Sequence, residues 1–233
     1  MSKGNIVATE TRQSERIALF DRMANELYVA VVSDILDSLG YRNQVMSPKI
    51  QPVEKNSRVP LVGAAATVHF APQYEVLPNP YTTLIAAIDA LQLGEVAVLA
   101  TGGLDGPAYW GELFSNAAIA RGARGTVIDG YHRDTRQVLE LGFPVYSTGA
   151  SPLDSWGRAN AIGYGHAVNC GGVLVNPGDI IFAEIDGIAV IPHQIAEQTI
   201  EGAFAKVAKE DRCRDDLREG ALLSEVWKKY KVL

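Results

Sequence analysis

Three charged residues, in two separate segments of the chain, have the side chains needed to bind an acidic substrate and a metal ion. Glu112 follows a glycine-rich stretch, and Arg133 and Asp134 stand together further along. An arginine can bind a carboxylate or a keto oxygen through two N–H groups. An aspartate can bind Mg²⁺, which prefers oxygen ligands and keeps several waters. A pyruvyl group bound there would have its enolate stabilised by the cation and the guanidinium.

Each of these residues also has a purely structural interpretation. Arg133 and Asp134 could be a solvated ion pair, and Asp134 is placed to cap a helix that starts at Thr135. Glu112 could simply complement the dipole of its own helix. His132 has the chemistry of a general base. It alternates with its neighbours along an extended segment, so we expect its side chain to face away from the site.

The elements around these residues favour a shared site. The apolar run Val96–Ala100 predicts a buried strand, and a helix is expected from about Gly111 to Arg121. A second apolar run, Thr126–Asp129, precedes a helix from about Thr135. Strand–helix–strand order predicts adjacent parallel strands joined by a right-handed crossover. Ligands collect at the carboxyl ends of such strands, where all three charged residues should meet.

The start of the first of these helices could bind an anion. The first turn of a helix has N–H groups without carbonyl partners, here those of Leu113 and Phe114, and its dipole favours negative charge. A substrate carboxylate could therefore bind at this point.

The rest of the chain predicts a single α/β domain over residues 1–233. Helical spacing covers Gln13–Leu39, with a second helix restarting near Ser33. Ser151–Gly165 has the composition of a loop, within a region of short strands at residues 143–191. A long helix is expected after Pro192. The pattern predicts a parallel core with added antiparallel strands and terminal helices, comprising an N-terminal extension (1–28) and a C-terminal region (192–233).

Composition excludes several classes of function. The chain has 233 residues, 47% of them apolar, and a formal net charge of −6. Without a basic run, nucleic-acid binding is not expected. No apolar run is long enough to span a membrane. The two cysteines, Cys170 and Cys213, lack metal-site spacing and predict reduced thiols in a cytoplasmic protein.

The central stretch resembles a known family. Its residues are WGELFSNAAIARGARGTVIDGYHRD, followed by LGFPVYSTG. They resemble the signature of the family of 4-hydroxy-4-methyl-2-oxoglutarate aldolases and regulators of ribonuclease activity. The segments VSDILDSLG, VNPGDIIFAEIDGIAVIP and KKYKVL agree with it as well. The resemblance covers roughly residues 29–233. It implies a β/β/α swivelling-type fold and a homotrimer or homohexamer with sites between subunits.

The resemblance also implies a role for each site residue. Asp134 would bind the divalent cation, Mg²⁺, Mn²⁺ or another, directly. Glu112 would contact the cation through water and relay protons. Arg133 would hold the substrate and stabilise its enolate. The backbone at Gly111, Leu113 and Phe114 would bind the pyruvyl carboxylate, and Glu210 of a neighbouring subunit would contact the cation through water.

Two positions depart from the pattern of the family. The aldolases usually have aspartate where this chain has Glu112. His132 replaces a residue that is usually small or apolar. The longer carboxylate side chain leaves the identity of the substrate open.

Three functions remain open at this point. The first is a metal-dependent lyase that cleaves 4-hydroxy-2-oxo acids to pyruvate, with oxaloacetate decarboxylation as a side activity. The second is a non-catalytic binding protein like the ribonuclease regulators. The third is a sugar-acid dehydratase or isomerase that uses the same metal site.

Overall fold

The computed structural model describes residues 3–232 and contains seven α-helices and one short 3₁₀ turn within that range. In this part of the chain, no helix is both long and apolar enough to cross a membrane. The 3₁₀ turn, His193–Ile195, precedes the long C-terminal helix. The helices are α1 (Lys3–Glu26), α2 (Val29–Ser38), α3 (Thr82–Asp89), α4 (Glu112–Ala120), α5 (Thr135–Leu141), α6 (Ala196–Arg218) and α7 (Leu223–Tyr230).

Thirteen strands lie within the same range and form three sheets. The main sheet has the order β1-β7-β5-β3-β2-β12-β13, with β9 also paired to β2; β4, β6 and β8 form a small sheet, and β10 and β11 a hairpin. The strands are β1 (Gln51–Pro52), β2 (Leu61–Pro72), β3 (Glu95–Ala100), β4 (Ala108–Trp110), β5 (Gly125–Ile128), β6 (Tyr131–His132), β7 (Val145–Ser147), β8 (Gly149–Ala150), β9 (Ala159–Tyr164), β10 (Val168–Cys170), β11 (Val173–Val175), β12 (Ile180–Glu184) and β13 (Gly187–Ile191).

The centre of the main sheet is parallel, and antiparallel strands flank it. Strand β3 pairs in parallel with both β2 and β5, and β5 pairs in parallel with β7. Val96 and Val98 of β3 pack into one hydrophobic cluster, whereas Ala97 and Leu99 pack into another on the opposite face. Burial on both faces explains why this strand is a continuous apolar run. The predicted α/β class with a parallel core, antiparallel additions and terminal helices is confirmed.

A small parallel sheet holds the two loops of interest. Strand β4 pairs with β6, with Trp110 opposite His132, and β6 pairs with β8. Beyond the paired residues, the backbone N–H of Arg133 donates to the carbonyl of Trp110 at 2.9 Å. The residues before Gly111 and before Asp134 are therefore joined through main-chain hydrogen bonds.

The predicted restart of a helix at Ser33 is wrong. The chain breaks earlier, at extended Tyr28, and α2 begins at Val29, which places Ser33 inside the helix. The N–H of Val29 donates to the Glu184 carboxylate at 2.8 Å. A side chain from β12 thus satisfies the start of α2, and no local capping residue is needed.

The prediction that Ser151–Gly165 is a loop throughout is also wrong. Residues Ala159–Tyr164 form β9, which pairs antiparallel with the C-terminal half of β2. Strand β2 is long enough for this second pairing, because it runs from Leu61 to Pro72. Ala159 and Ala161 are buried in the pairing, but such small side chains and the glycine at 163 give a weak strand pattern.

Candidate active site

The structure brings Gly111, Glu112, Arg133 and Asp134 together at the start of α4. The N–H of Glu112 donates to Asp134 Oδ2 at 3.2 Å, and Arg133 Nε lies 3.8 Å from that same oxygen. A Cβ at Gly111 would lie 2.6 Å from Asp134 Oδ2, which is closer than real contacts allow. Glycine at 111 therefore permits the close approach of the Asp134 carboxylate to the helix.

Asp134 has a backbone conformation that is rare for residues other than glycine. Its φ and ψ are 58° and 36°, in the left-handed region, and its side chain makes no capping hydrogen bond to α5. Asp134 thus occupies the N-cap position of α5, as its structural interpretation expected, but its side chain does not cap that helix. Its carboxylate accepts instead from the first N–H of α4, at the positive end of that helix. Such backbone strain is typical of functional sites.

Other contacts fix the start of α4. Asn116, one turn along, donates a short hydrogen bond to the Glu112 carboxylate. The indole N–H of buried Trp110 donates to Ser115 Oγ at 2.8 Å. The N–H groups of Leu113 and Phe114 belong to the first turn of the helix, which has no intrahelical carbonyl for them.

Arg133 is held by a carboxylate that sequence reasoning did not identify. Its Nη1 donates to Asp154 Oδ2 at 2.6 Å, and the Tyr81 hydroxyl donates to Asp154 Oδ1 at 2.6 Å. Burial and the bond to Asp154 raise the pKa of Tyr81 to about 12. Burial alone would raise the pKa of Asp154, but hydrogen bonds from Tyr81, the Trp156 backbone and Arg133 outweigh it, and the pKa lies below its usual value.

A local signal for Asp154 was present in the sequence. Oδ1 of Asp154 accepts from the N–H of Trp156 at 2.8 Å, an Asx-type turn in the segment Asp-Ser-Trp-Gly. Such a pattern predicts the turn. It does not predict that the other oxygen of this carboxylate, Asp154 Oδ2, accepts a hydrogen bond from Arg133.

A cavity of about 240 Å³ lies beside these groups. It is lined by Tyr81, Ile85, Ala108, Tyr109, Trp110, Gly111, Leu113, Phe114, Arg133, Asp134, Asp154 and Ser155.

A larger cavity of about 600 Å³ lies at the carboxyl ends of β3, β5 and β7. It includes none of the residues predicted from the sequence. Its carboxylate Asp129 accepts from the N–H groups of Thr101 at 2.5 Å and Gly171 at 3.3 Å, so this side chain joins two glycine-rich loops. The smaller cavity is the better candidate because Arg133 and Asp134 both line it; Glu112 does not line it but contacts Asp134 through its backbone N–H.

The donors at the smaller cavity suit a hard divalent cation. Among residues 3–232, no three His, Cys, Asp or Glu side chains lie close enough to form a metal cluster. Mg²⁺ commonly uses one or two protein carboxylates and fills its other positions with water or substrate. Asp134 supplies one such carboxylate in the cavity, and Glu112, whose backbone N–H contacts it, begins α4 beside the cavity.

His132 faces away from the cavity, as its alternation along the strand predicted. The ring is buried, with Nδ1 2.8 Å from Ser147 Oγ and Nε2 2.9 Å from Thr135 Oγ1. Burial lowers its pKa, which outweighs the opposing effects of the Gly149 backbone and Asp134. The neutral ring joins β6, β7 and α5.

Acidification should therefore destabilise the fold through His132. The unfolded chain binds a proton on this ring near pH 6.5, whereas the folded chain resists it to lower pH. The free energy of unfolding should fall as the pH drops from about 6.5 through the lower pKa of the folded state. Urea unfolding of wild type and His132→Gln at several pH values measures this. Equal pH slopes for the two proteins would contradict it.

Glu210 does not line this cavity within one chain. It lies on α6 with its side chain 14% exposed, 3.6 Å from Lys206, and burial raises its pKa. Its role in the site of a neighbouring subunit stays a prediction. Cys170 is fully buried, and burial raises the pKa of its thiol, which does not suit a nucleophile.

Comparison with known proteins decides the family. The sequence profile of the RraA-like family, described as Aldolase/RraA, matches residues 29–190. The chain belongs to the RraA-like family. The matched range contains Glu112, Arg133, Asp134 and Asp154 but not Glu210.

Several proteins similar to this RraA-like chain have been named. A "Putative 4-hydroxy-4-methyl-2-oxoglutarate aldolase" of Halalkalibacterium halodurans is 31% identical over 199 residues, 84% of each protein. An uncharacterised protein of Methanocaldococcus jannaschii is 35% identical over 179 residues, 76% of this chain and 82% of that protein. DlpA of Legionella pneumophila is 27% identical over 201 residues; these cover 86% of this chain but only 32% of DlpA, so the chain spans about a third of that relative.

Solved structures show the same RraA-like fold. An uncharacterised Pseudomonas syringae protein superposes with a TM-score of 0.78 at 27% identity, over 90% of this chain and 96% of that one. RraAS2 of Streptomyces coelicolor, described as an unusual member of the RNase ES inhibitor RraA protein family, has a TM-score of 0.76. It is 30% identical, over 84% of this chain and 96% of its own.

Proposed function

We propose that this protein is a divalent-metal-dependent lyase that cleaves a 4-hydroxy-2-oxo acid to pyruvate and a carbonyl compound. One observation carries the proposal. The Asp134 carboxylate lies beside the Arg133 guanidinium and accepts from the first N–H group of α4. Relatives named as aldolases at about 30% identity support a lyase function.

The residues of the cavity divide the reaction between them. The N–H groups of Leu113 and Phe114 bind the carboxylate of the substrate, and Arg133 donates to the keto oxygen. Loss of the proton from the C4 hydroxyl breaks the C3–C4 bond, C4 becomes a carbonyl, and the electron pair passes into the enolate of pyruvate. Arg133 stabilises that negative charge. Glu112, through water, holds the hydroxyl proton and returns a proton to C3.

Asp134 would hold the metal ion directly, and Glu112 would contact it through water. When bound, a divalent cation supplies a Lewis acid for the keto oxygen. The dipole of α4 and the Arg133 guanidinium both stabilise the negative charge of the Asp134 carboxylate. The left-handed backbone of Asp134 sets the direction in which this side chain leaves the chain.

A second candidate function is a non-catalytic regulator. RraAS2, which is 30% identical, is described within a family of RNase ES inhibitors. Such a role requires neither a bound cation nor release of pyruvate. The presence of Arg133 and Asp134 in one cavity, with Asp134 bonded to the backbone of Glu112, favours the lyase.

Metal removal tests the proposed function. We expect protein treated with EDTA and then dialysed to release pyruvate from 4-hydroxy-2-oxo acids at less than about 1% of the rate seen after Mg²⁺ or Mn²⁺ is restored, because the cation contributes several kcal/mol to the transition state. Coupling pyruvate to lactate dehydrogenase measures the rate. If no hydroxy-oxo acid in a panel yields pyruvate with either metal, the lyase proposal is wrong and the regulator is favoured.

A further inference from the structure

Strand β4 holds the segments of Arg133 and Asp154 at a set separation. The N–H of Arg133 donates to the carbonyl of Trp110 in β4 at 2.9 Å. Two residues earlier in the strand, the N–H of Ala108 donates to the carbonyl of Leu153 at 2.8 Å. Ala108 pairs with β6 and also forms a bridge with Asp154. The strand therefore lies between the two segments, and main-chain hydrogen bonds set the distance between them.

The Asp154 carboxylate is fixed by groups other than Arg133. Its Oδ1 accepts from the Tyr81 hydroxyl at 2.6 Å and from the N–H of Trp156 at 2.8 Å. Its backbone carbonyl accepts from Nη1 of Arg158 at 2.9 Å. The other carboxylate oxygen, Oδ2, accepts from Nη1 of Arg133 at 2.6 Å. A carboxylate held from several sides has little freedom, so it offers the guanidinium a single position.

The pair of Arg133 and Asp154 contributes more to order in the cavity than to the stability of the fold. The side chain of Arg133 is 38% exposed and that of Asp154 is 32% exposed. Ion pairs this exposed add little to the free energy of unfolding. A free arginine side chain, however, samples many rotamers. The bond to Asp154 removes this freedom from the residue that the proposed reaction needs in one place.

Resting on the proposed function, we propose that Asp154 is a positioning residue of the lyase, which holds the Arg133 guanidinium where it contacts the keto oxygen of the substrate. Both side chains line the cavity. The bond to Asp154 uses one of the five N–H groups of the guanidinium, so others stay available for the substrate. Tyr81, at the start of α3, supports the arrangement by holding the carboxylate. A displacement of about 1 Å at a reacting group can lower the rate about 10²-fold.

Asp154→Asn tests the proposal with little change in shape. The amide oxygen can still accept from Tyr81 and Trp156, which leaves the amide N–H₂ group facing Nη1 of Arg133, donor against donor. We expect kcat/KM for pyruvate release with restored Mg²⁺ to fall about 10²-fold. The urea unfolding midpoint and the affinity for Mn²⁺, measured by calorimetry, should be unchanged. Tyr81→Phe removes one donor to the carboxylate and should cause a smaller loss of activity.

The matched control is Asp21→Asn. Asp21 lies 2.8 Å from Nη2 of Arg124 in another partly exposed ion pair, and neither residue lines the cavity. This variant should keep the wild-type rate.

A double-mutant cycle separates positioning from a general structural effect. If Asp154 acts through Arg133, Asp154→Asn has nothing further to remove once Arg133 is alanine. The double variant should then have the kcat/KM of Arg133→Ala alone. A merely structural role predicts instead that losses of about 10²-fold and about 10³-fold multiply to about 10⁵-fold. The loss caused by Tyr81→Phe should disappear in the same background, which keeps the test decisive if Asp154→Asn does not fold.

The outcomes separate the inference from the proposed function. Three results would overturn the positioning role and leave the lyase intact: wild-type kcat/KM in Asp154→Asn, losses that multiply in the cycle, or loss of Mn²⁺ binding in Asp154→Asn. If the wild-type protein releases no pyruvate from any hydroxy-oxo acid, the proposed function is wrong and the positioning role is wrong with it.

Discussion

Arg133→Ala is expected to lower kcat/KM for pyruvate release about 10³-fold. The guanidinium lies 3.8 Å from the Asp134 carboxylate, and no other cation among the described residues lines the cavity. Removing one donor that stabilises an oxyanion typically costs 10²–10³-fold. The loss here should reach the upper end because Asp154 and Tyr81 also lose the cation that pairs with their partly buried contact. Steady-state kinetics with restored Mg²⁺ measures the effect.

Two further variants make this result specific. Arg121→Ala removes a guanidinium at the C-terminal end of α4 that pairs with Asp89 at 3.6 Å, and it should leave the rate unchanged. Arg133→Lys keeps the charge but loses the planar fork, so we expect intermediate activity. Wild-type activity in Arg133→Ala, with an unchanged unfolding midpoint, would remove Arg133 from the site.

Asp134→Asn should abolish activation by metal while leaving the fold intact. Asparagine tolerates the left-handed backbone at this position, and its side-chain oxygen can still accept from the N–H of Glu112. The lost negative charge should weaken Mg²⁺ binding at least about tenfold and lower the rate about 10²–10³-fold. Calorimetric titration of Mn²⁺ measures binding separately from turnover.

The control for this variant is Asp89→Asn. Asp89 is exposed on α3 and outside the cavity, so its variant should bind Mn²⁺ like wild type. If Asp134→Asn also binds Mn²⁺ like wild type, Asp134 is not a metal ligand. A large loss of stability in Asp134→Asn would instead assign the carboxylate to the start of α4 as a structural group.

The meeting of the charged loops was predictable because a strand–helix–strand unit brings its two ends to one edge of the sheet. The apolar runs that became β3 and β5 are buried on both faces, and their parallel pairing follows from the helix between them. The orientation of His132 followed from alternation along a strand. Each of these features follows from a pattern within one strand–helix–strand unit.

The remaining features follow from no pattern within such a unit. The bond between Arg133 and Asp154 joins segments that no periodicity relates, and Tyr81 reaches the same carboxylate from α3. The start of α2 is satisfied by Glu184, 155 positions away. Strand β9 could be recognised only beside the long β2, because alanine and glycine carry little intrinsic strand signal. Tertiary contacts decided each of these cases.

Because β4, β6 and β8 pair through the main chain, one side chain of the site can be replaced without moving the others. Backbone hydrogen bonds set the separation of the two loops, as in the N–H of Arg133 to the carbonyl of Trp110. Shortening Glu112 to aspartate would accordingly retract one carboxylate by about a C–C bond without moving Asp134. A scaffold whose geometry does not depend on its reactive groups allows relatives to acquire new chemistry one residue at a time.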